Sequence, residues 1–361
     1  MSVLFWKMHK DLLRRAALAQ QETGRSVVAL APANNPGGIP FGVKNTKTIP
    51  YSIVKKITAD PRYTWLTIDK MSDKGRSVDT DLVNPITYRL MTGSTSGGPI
   101  NILKGITEFC IGTDGGGSVL GPAAAVNLFS FIGPGLIPPD PDGKASVSTD
   151  NISFSPSVGI IGKSPEILRD IYSLISELDL SPEGGAPCRI ALPGKGQVTL
   201  PDGIDMRQKL NPYREFLEQY NYTFIDTDYT GIDDRTKAIS VMRGAFENGA
   251  DIILSAEGPV DVVSYDETIL HSFKGSVPAM LTGRGGKYFI KAANMAGSPA
   301  LSFPTDEPAS ALIICGRPGL AGAKKVLHTA SILNEYIQPA PLFKRYFLDQ
   351  EKKNEGFVFD E

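Results

Sequence analysis

Several segments of the chain carry apolar residues at helical spacing, and capping residues mark where some of them start. Trp6 to Gln21 has leucines and alanines on or near one face. Ser164-Pro165-Glu166 combines a cap, a proline at the first helical position and an acid in the first turn, and an apolar stripe follows to Leu178. Asn211-Pro212 predicts a second start of this kind. Later helical patterns cover 212–220, 235–248 and 322–337.

Short apolar runs bounded by Gly, Pro or Asp lie between these helices and are typical of buried strands. They are Ser26–Leu30, Arg189–Leu192, Tyr222–Ile225, Asp251–Leu254 and Ala311–Ile314. Strands that alternate with helices predict an α/β fold with a mixed, mostly parallel β-sheet covered by helices on both faces. No internal repeat divides the sequence, so we predict a single large domain over residues 1–361, with the acidic end, 350–361, as a frayed tail.

The composition excludes several classes of protein. The 361 residues are 41% hydrophobic and carry a formal net charge of −2, unlike a disordered chain or a nucleic-acid binder. The three cysteines lie far apart and the three histidines form no H-E-x-x-H pattern, so neither a disulfide framework nor a zinc site is indicated. No apolar run approaches the ~20 residues that cross a bilayer. We therefore expect a cytoplasmic protein with no metal, no cofactor and no nucleic acid or membrane among its partners.

Glycine is concentrated in one part of the sequence. Eight of the 37 glycines fall within residues 93–118, mostly in Gly93-Ser94-Thr95-Ser96-Gly97-Gly98 and Gly112-Thr113-Asp114-Gly115-Gly116-Gly117-Ser118. Consecutive glycines permit positive φ and close backbone approach, so the N–H groups of Gly115, Gly116 and Gly117 can converge on an anion. Ser118 then stands beside a potential oxyanion hole.

A serine hydroxyl becomes a nucleophile only when a base removes its proton. The histidines are remote in sequence, and Lys44, which follows an apolar pair, is one candidate for this base. Burial lowers the pKa of a lysine and leaves the neutral amine able to accept a proton. Taken singly, each feature has another interpretation: the first glycine segment as a flexible turn, the second as a phosphate cradle without the Gly-Lys-Ser/Thr ending, and Lys44 as a solvated lysine.

Taken together and in this order, these segments resemble the amidase signature family, whose members cleave or transfer the acyl groups of amides with a Ser–cis-Ser–Lys triad. The resemblance rests on four stretches, which are Gly38 to Lys44, Gly93 to Gly98, Gly112 to Ser118 with Pro122-Ala123-Ala124, and Asn294 to Pro304. It extends loosely over residues 34–337 and implies the large α/β fold of that family.

The resemblance assigns catalytic roles to three residues. Ser118 matches the nucleophile and Lys44 the base, and Thr95 falls at the position of the bridging cis-serine. The implied relay has Lys44 accept the proton of Thr95 while Thr95 accepts that of Ser118, and Ser118 attacks the acyl carbon. A cis peptide is also implied before residue 95. Such a bond costs ~3–4 kcal/mol and persists only in a tightly determined site.

Other residues are expected to shape this site. The backbone N–H groups of residues 115–118 match the oxyanion hole of the family. Asp114 is expected to brace the loop through backbone hydrogen bonds, without taking part in the chemistry. Ser94 and Ser96 flank Thr95, and Ser96 matches the serine that follows the cis-serine. Glu257, after a predicted strand, is either structural or part of the acyl pocket. Cys110, within an apolar run, is predicted to be a buried small hydrophobe.

The sequence departs from the family pattern at three positions. Thr95 stands where serine is usual, Leu120 where an arginine is usual, and Asn45 where an aspartate is usual. The chain is also shorter than most members of the family. The shorter chain leaves two alternatives, a more open site or a site completed by a homodimer contact or a partner chain.

The predicted function is hydrolysis of a small-molecule amide, at a linear non-peptide C–N bond, through an acyl-enzyme on Ser118. Two alternatives stay open. One is acyl transfer to an amine by the same acyl-enzyme, and the other is a catalytically impaired relative that takes part in binding or in a larger complex.

Overall fold

A mixed sheet of eleven strands forms the centre of the protein in a computed structural model. The structure describes residues 3–138, 146–148, 150–182, 187–262, 275–277, 280 and 285–349, and the predicted tail, 350–361, lies outside them. The strands are β1 (Val27–Leu30), β2 (Ile39–Lys44), β3 (Tyr63–Asp69), β4 (Val78–Val83), β5 (Leu90–Thr92), β6 (Phe109–Asp114), β7 (Phe129–Ile132), β8 (Ser146–Val147), β9 (Ser153–Phe154), β10 (Ser157–Gly162), β11 (Cys188–Pro193), β12 (Tyr222–Thr227), β13 (Ile252–Glu257), β14 (Ala300–Pro304) and β15 (Ala311–Gly316).

The helices lie between these strands in the chain. They are α1 (Val3–Gln21), α2 (Tyr51–Ala59), α3 (Gly97–Leu103), α4 (Leu120–Ala125), α5 (Pro165–Ser176), α6 (Met206–Leu217), α7 (Arg235–Glu247), α8 (Leu320–Tyr336) and α9 (Pro341–Phe343). A 3₁₀ turn, Phe289–Lys291, precedes β14. None of the helices in the described ranges is both long and apolar enough to cross a membrane.

Strand direction differs from the prediction. The order across the sheet is β1-β3-β2-β6-β10-β7-β14-β15-β13-β11-β12. Parallel pairing is confined to two groups, β3-β2-β6 and β13-β11-β12. All pairs from β6 across to β13 are antiparallel, as is β1 with β3. The expected mixed sheet is confirmed, but among the described strands most pairs are antiparallel. A short apolar run predicts a strand without revealing the direction of its neighbour.

Both faces of the sheet are covered. The central strands β6, β7, β13 and β15 are buried at every position. Because successive side chains of a strand point to opposite faces, burial at every position requires packing on both sides. One continuous apolar core runs from β2 to α8 and joins the two ends of the sheet. The chain is therefore a single α/β domain, as predicted.

The cap signals predict one helix start well and another badly. Helix α5 begins at Pro165, and the Ser164 side chain accepts a hydrogen bond from the N–H of Ile167. The start predicted at Asn211-Pro212 is wrong, because α6 begins at Met206 with Asp205 as its cap. Pro212 lies inside the helix, where it donates no backbone hydrogen bond.

Candidate active site

The sheet brings the three predicted segments to one edge. Strands β2 and β6 are parallel neighbours, with Val43 opposite Ile111, so their carboxyl ends at Lys44 and Asp114 reach the same side of the sheet. The segment between β5 and α3 reaches this edge too, because Ser94 hydrogen-bonds to Lys44 there. Ser118 lies on the loop that joins β6 to α4.

Lys44 is a buried amine with a serine hydroxyl as its nearest partner. Its side chain is 4% exposed, and Nζ donates to Oγ of Ser94 at 2.7 Å. Longer contacts of 3.3 Å and 3.4 Å reach Oγ1 and the carbonyl oxygen of Thr113. Burial lowers the pKa of Lys44 to about 8, although the nearby Asp114 opposes that shift. A far larger fraction of this amine is therefore neutral near pH 7 than of an exposed lysine.

Asp114 holds the loop that carries Ser118. Its Oδ1 accepts from the N–H of Gly117 at 2.7 Å, and its Oδ2 accepts from Val119 at 2.6 Å and Leu120 at 3.2 Å. Burial raises the pKa of the Asp114 carboxyl, while these three donors and the charge of Lys44 favour its ionised form. These contacts are the backbone brace expected for Asp114.

The contacts of the glycine loop revise the set of predicted oxyanion donors. The N–H of Gly117 is taken by Asp114, so its predicted place in the oxyanion hole is wrong. The N–H groups of Gly115, Gly116 and Ser118 make no hydrogen bond to another described residue. Gly116 is exposed and Ser118 is half-buried, so these donors lie where a substrate can reach them.

Close packing requires the small size of two of these glycines. A Cβ on Gly115 would lie 2.1 Å from the ring of Phe154, and one on Gly117 would lie 2.7 Å from Cγ2 of Ile290. Gly117 also has φ of +97°, which side chains rarely adopt. The loop is therefore enclosed by Phe154 on one side and Ile290 on the other.

Thr95 is placed differently from the bridging residue that the resemblance implied. Its N–H donates to the carbonyl oxygen of Ser118 at 3.2 Å, whereas its buried Oγ1 has no hydrogen-bond partner among the described residues. The Thr95 side chain packs on Gly112, where a Cβ would lie 2.6 Å from Oγ1. The cis peptide expected before Thr95 is absent, because the cis peptide of the described residues is Gly258–Pro259.

The three neighbouring hydroxyls of the first glycine segment thus have separate environments. Ser94 contacts the Lys44 amine, and Ser96 donates to Oδ2 of Asp79 at 2.5 Å. Asp79 is in turn paired with Lys70 at 2.7 Å, so Ser96 belongs to a structural ion-pair cluster. Nothing in the sequence marks which of three adjacent hydroxyls faces Lys44, since the backbone turn after Gly93 (φ +75°) decides it.

Glu257 supports one wall of the site from behind. It is buried, and its carboxylate accepts from the Ser255 hydroxyl and from the N–H groups of Tyr288, Phe289 and Ile290. Burial raises the pKa of this carboxyl. Because Ile290 lies against Gly117, Glu257 fixes the 288–290 turn beside the nucleophile loop. Of the two interpretations left open for Glu257, the structural one describes these contacts.

Two other features lie outside this chemistry. Cys110 is buried, as predicted, and burial raises the pKa of its thiol, which is the opposite of what a nucleophilic cysteine needs. A separate cavity of about 1070 Å³ adjoins the C-terminal segment, with Phe129, Phe303 and Phe347 among its lining residues. None of the predicted catalytic residues lines that cavity.

Comparison with known proteins gives a fold and little sequence similarity. No protein-family model matches the sequence, and no curated protein matches it. A 6-aminohexanoate cyclic dimer hydrolase, solved with its substrate, matches with a TM-score of 0.67 at 12% identity, over 95% of this chain and 96% of that one. A glutamyl-tRNA(Gln) amidotransferase subunit from Thermotoga maritima matches at 0.63 and 15%, over 93% and 96%. A peptide amidase from Stenotrophomonas maltophilia matches at 0.62 and 12%, over 92% and 93%.

The chain therefore has the amidase signature fold of these enzymes. At this level of identity the likeness concerns the fold, and the chemistry has to be argued from the site itself.

Proposed function

We propose that the protein is a serine hydrolase that cleaves an amide of a small molecule. The observation that carries the proposal is the buried amine of Lys44, hydrogen-bonded to the Ser94 hydroxyl at the sheet edge where the Ser118 loop begins. An amine with a lowered pKa can accept a proton near neutral pH, which is what a serine nucleophile requires. Matching structures named amidase, peptide amidase and cyclic dimer hydrolase support an amide as the substrate.

The proposed proton relay runs through Ser94. Neutral Nζ of Lys44 accepts the Ser94 proton, Oγ of Ser94 accepts the Ser118 proton, and Oγ of Ser118 bonds to the carbonyl carbon. The 2.7 Å hydrogen bond between Lys44 and Ser94 favours this route. The alternative relay residue is Thr95, whose hydroxyl is close in sequence but has no partner in the described part of the chain.

The remaining steps use the free backbone donors and the same relay. The N–H groups of Gly115, Gly116 and Ser118 are proposed to stabilise the oxyanion of the tetrahedral intermediate. The proton held by Lys44 then returns through Ser94 to the amide nitrogen, the C–N bond breaks and the amine leaves. Water repeats the sequence, giving its proton to the relay and its oxygen to the acyl carbon, and Ser118 is released.

A fluorophosphonate probe tests the proposal, because it phosphonylates activated serines. We expect the wild type to be labelled, Ser118→Ala to show no labelling, and Lys44→Met to react at least about a hundredfold more slowly. Circular dichroism of each variant checks that it is folded. An unlabelled but folded wild-type protein would overturn the assignment of Ser118.

A further inference from the structure

Arg235, the first residue of α7, lies over the glycine loop. A Cβ on Gly116 would be 3.8 Å from Nη2 of Arg235 and 3.4 Å from Cε of Met295. The Arg235 side chain is 17% exposed, and Nη1 forms an ion pair with Asp150. The ion pair holds the guanidinium in place, while Nη2 faces the exposed backbone of Gly116.

The hydrogen-bonding capacity of this guanidinium is only partly used. Nη1 is occupied by Asp150, Nε is buried without a partner, and Nη2 makes no hydrogen bond to another described residue. An arginine stays protonated at all ordinary pH values, so its unused Nη2–H groups remain donors with a positive charge. Such donors bind carboxylates better than neutral acceptors.

Other charged groups surround this position without cancelling it. Asp150 is about half exposed, and Asp234 uses its side chain to cap α7 by accepting from the N–H of Lys237. The Nζ of Lys291 donates to the carbonyl oxygen of Asp233. Of the described charges, the group directed at the glycine loop is therefore the Arg235 guanidinium, next to the proposed oxyanion donors.

We propose that Arg235 binds a carboxylate of the substrate, so that the amides cleaved carry an acidic group a few bonds from the scissile carbonyl. The proposal rests on the function proposed above and names its substrate class. The carboxylate would accept from Nη2 while the carbonyl oxygen accepts from the glycine loop. The two contacts would orient the substrate for attack by Ser118.

Protection from labelling tests this without knowledge of the natural substrate. The fluorophosphonate reaction of Ser118 is measured with malonate, succinate or glutarate, and with the uncharged diols of the same chain length, at constant ionic strength. We expect at least one dicarboxylate to protect the wild type and its diol to have no effect. In Arg235→Met the concentration needed for protection rises about tenfold or more. Arg243→Met, an exposed change on the same helix, serves as the matched control and should behave as the wild type.

The outcomes separate the two proposals. If the wild type is not labelled at Ser118, the proposed function fails. If Ser118 is labelled but dicarboxylates protect no better than diols, or protect Arg235→Met as well as the wild type, the role of Arg235 fails and the hydrolase proposal stands. Arg235→Lys keeps the charge, so it should retain part of the protection that Arg235→Met loses.

Discussion

The protonation state of Lys44 controls the site at the scale of single residues. An exposed lysine is almost wholly protonated near pH 7 and cannot act as a base. Burial beneath the sheet edge changes this, and the shortest of the hydrogen bonds that the amine makes leads to Ser94. The negative charge of Asp114 opposes the burial effect, so the balance of the two sets the pH at which the relay can work.

The first prediction concerns the pH dependence of the reaction. The base is active when neutral, and burial places the pKa of Lys44 at about 8. The rate of Ser118 labelling should therefore rise about tenfold per pH unit below pH 8 and level off above it. Lys44→Arg, which stays protonated, should remain slow at every pH. A flat profile for the wild type, or one that still rises steeply at pH 10, would contradict the role of Lys44.

The second prediction separates the two candidate relay hydroxyls. Ser94→Ala removes the partner of Lys44, and we expect labelling to slow by about a hundredfold or more. Thr95→Val removes a buried hydroxyl that has no partner among the described residues, so it should leave labelling within a fewfold of the wild type and stability unchanged or higher. Paired labelling rates and thermal melts measure this. Loss of reaction in Thr95→Val, with Ser94→Ala still reactive, would return the relay to Thr95.

At the scale of elements, the sequence predicts where chemistry occurs better than how groups face one another. Lys44 and Asp114 were predictable because glycine-rich loops after apolar strands are distinctive, and both lie at the predicted sheet edge. The partner of Lys44 was not, because a one-residue change of direction in the 93–96 turn decides which hydroxyl points inward. Arg235 and Ile290 reach the loop from distant segments, and only the folded sheet order brings them there.

The third prediction concerns the turn that Glu257 supports. Glu257→Gln replaces one acceptor oxygen with an NH₂ group, which then faces backbone donors of the 288–290 turn. We expect a loss of about 2 kcal/mol in the free energy of unfolding, since a buried donor is left unpaired. Displacement of Ile290 from Gly117 should also slow Ser118 labelling.

A matched control distinguishes support of the turn from a general packing effect. Ser255→Ala removes only the hydroxyl that donates to Glu257 and keeps all three backbone contacts. It should therefore alter labelling much less than Glu257→Gln does, when both are measured at a temperature where both are folded. Equal labelling by the two variants would show that the 288–290 turn does not position the nucleophile loop.

At the scale of the whole molecule, the site depends on both ends of the chain. Lys44, Ser94 and Ser118 come from the first third, whereas Arg235, Glu257 and Ile290 come from the later half. The antiparallel centre of the sheet joins these parts, and one apolar core extends across it. A partner chain remains a prediction, supported by a fold relative that is named as part of an amidotransferase.

The fourth prediction follows from this shared core. Ile111 in β6 and Leu254 in β13 are both fully buried, on opposite sides of the sheet centre. Truncation of either to alanine should lower the free energy of unfolding by about 2–5 kcal/mol. Because the core is continuous, near-ultraviolet circular dichroism and loss of Ser118 labelling should give the same melting midpoint in each variant. Leu13→Ala, at an exposed position of α1, should shift neither readout. If labelling in Leu254→Ala survived to the wild-type temperature while the dichroism signal melted earlier, the two parts would unfold separately, and the later half could not be holding the site together.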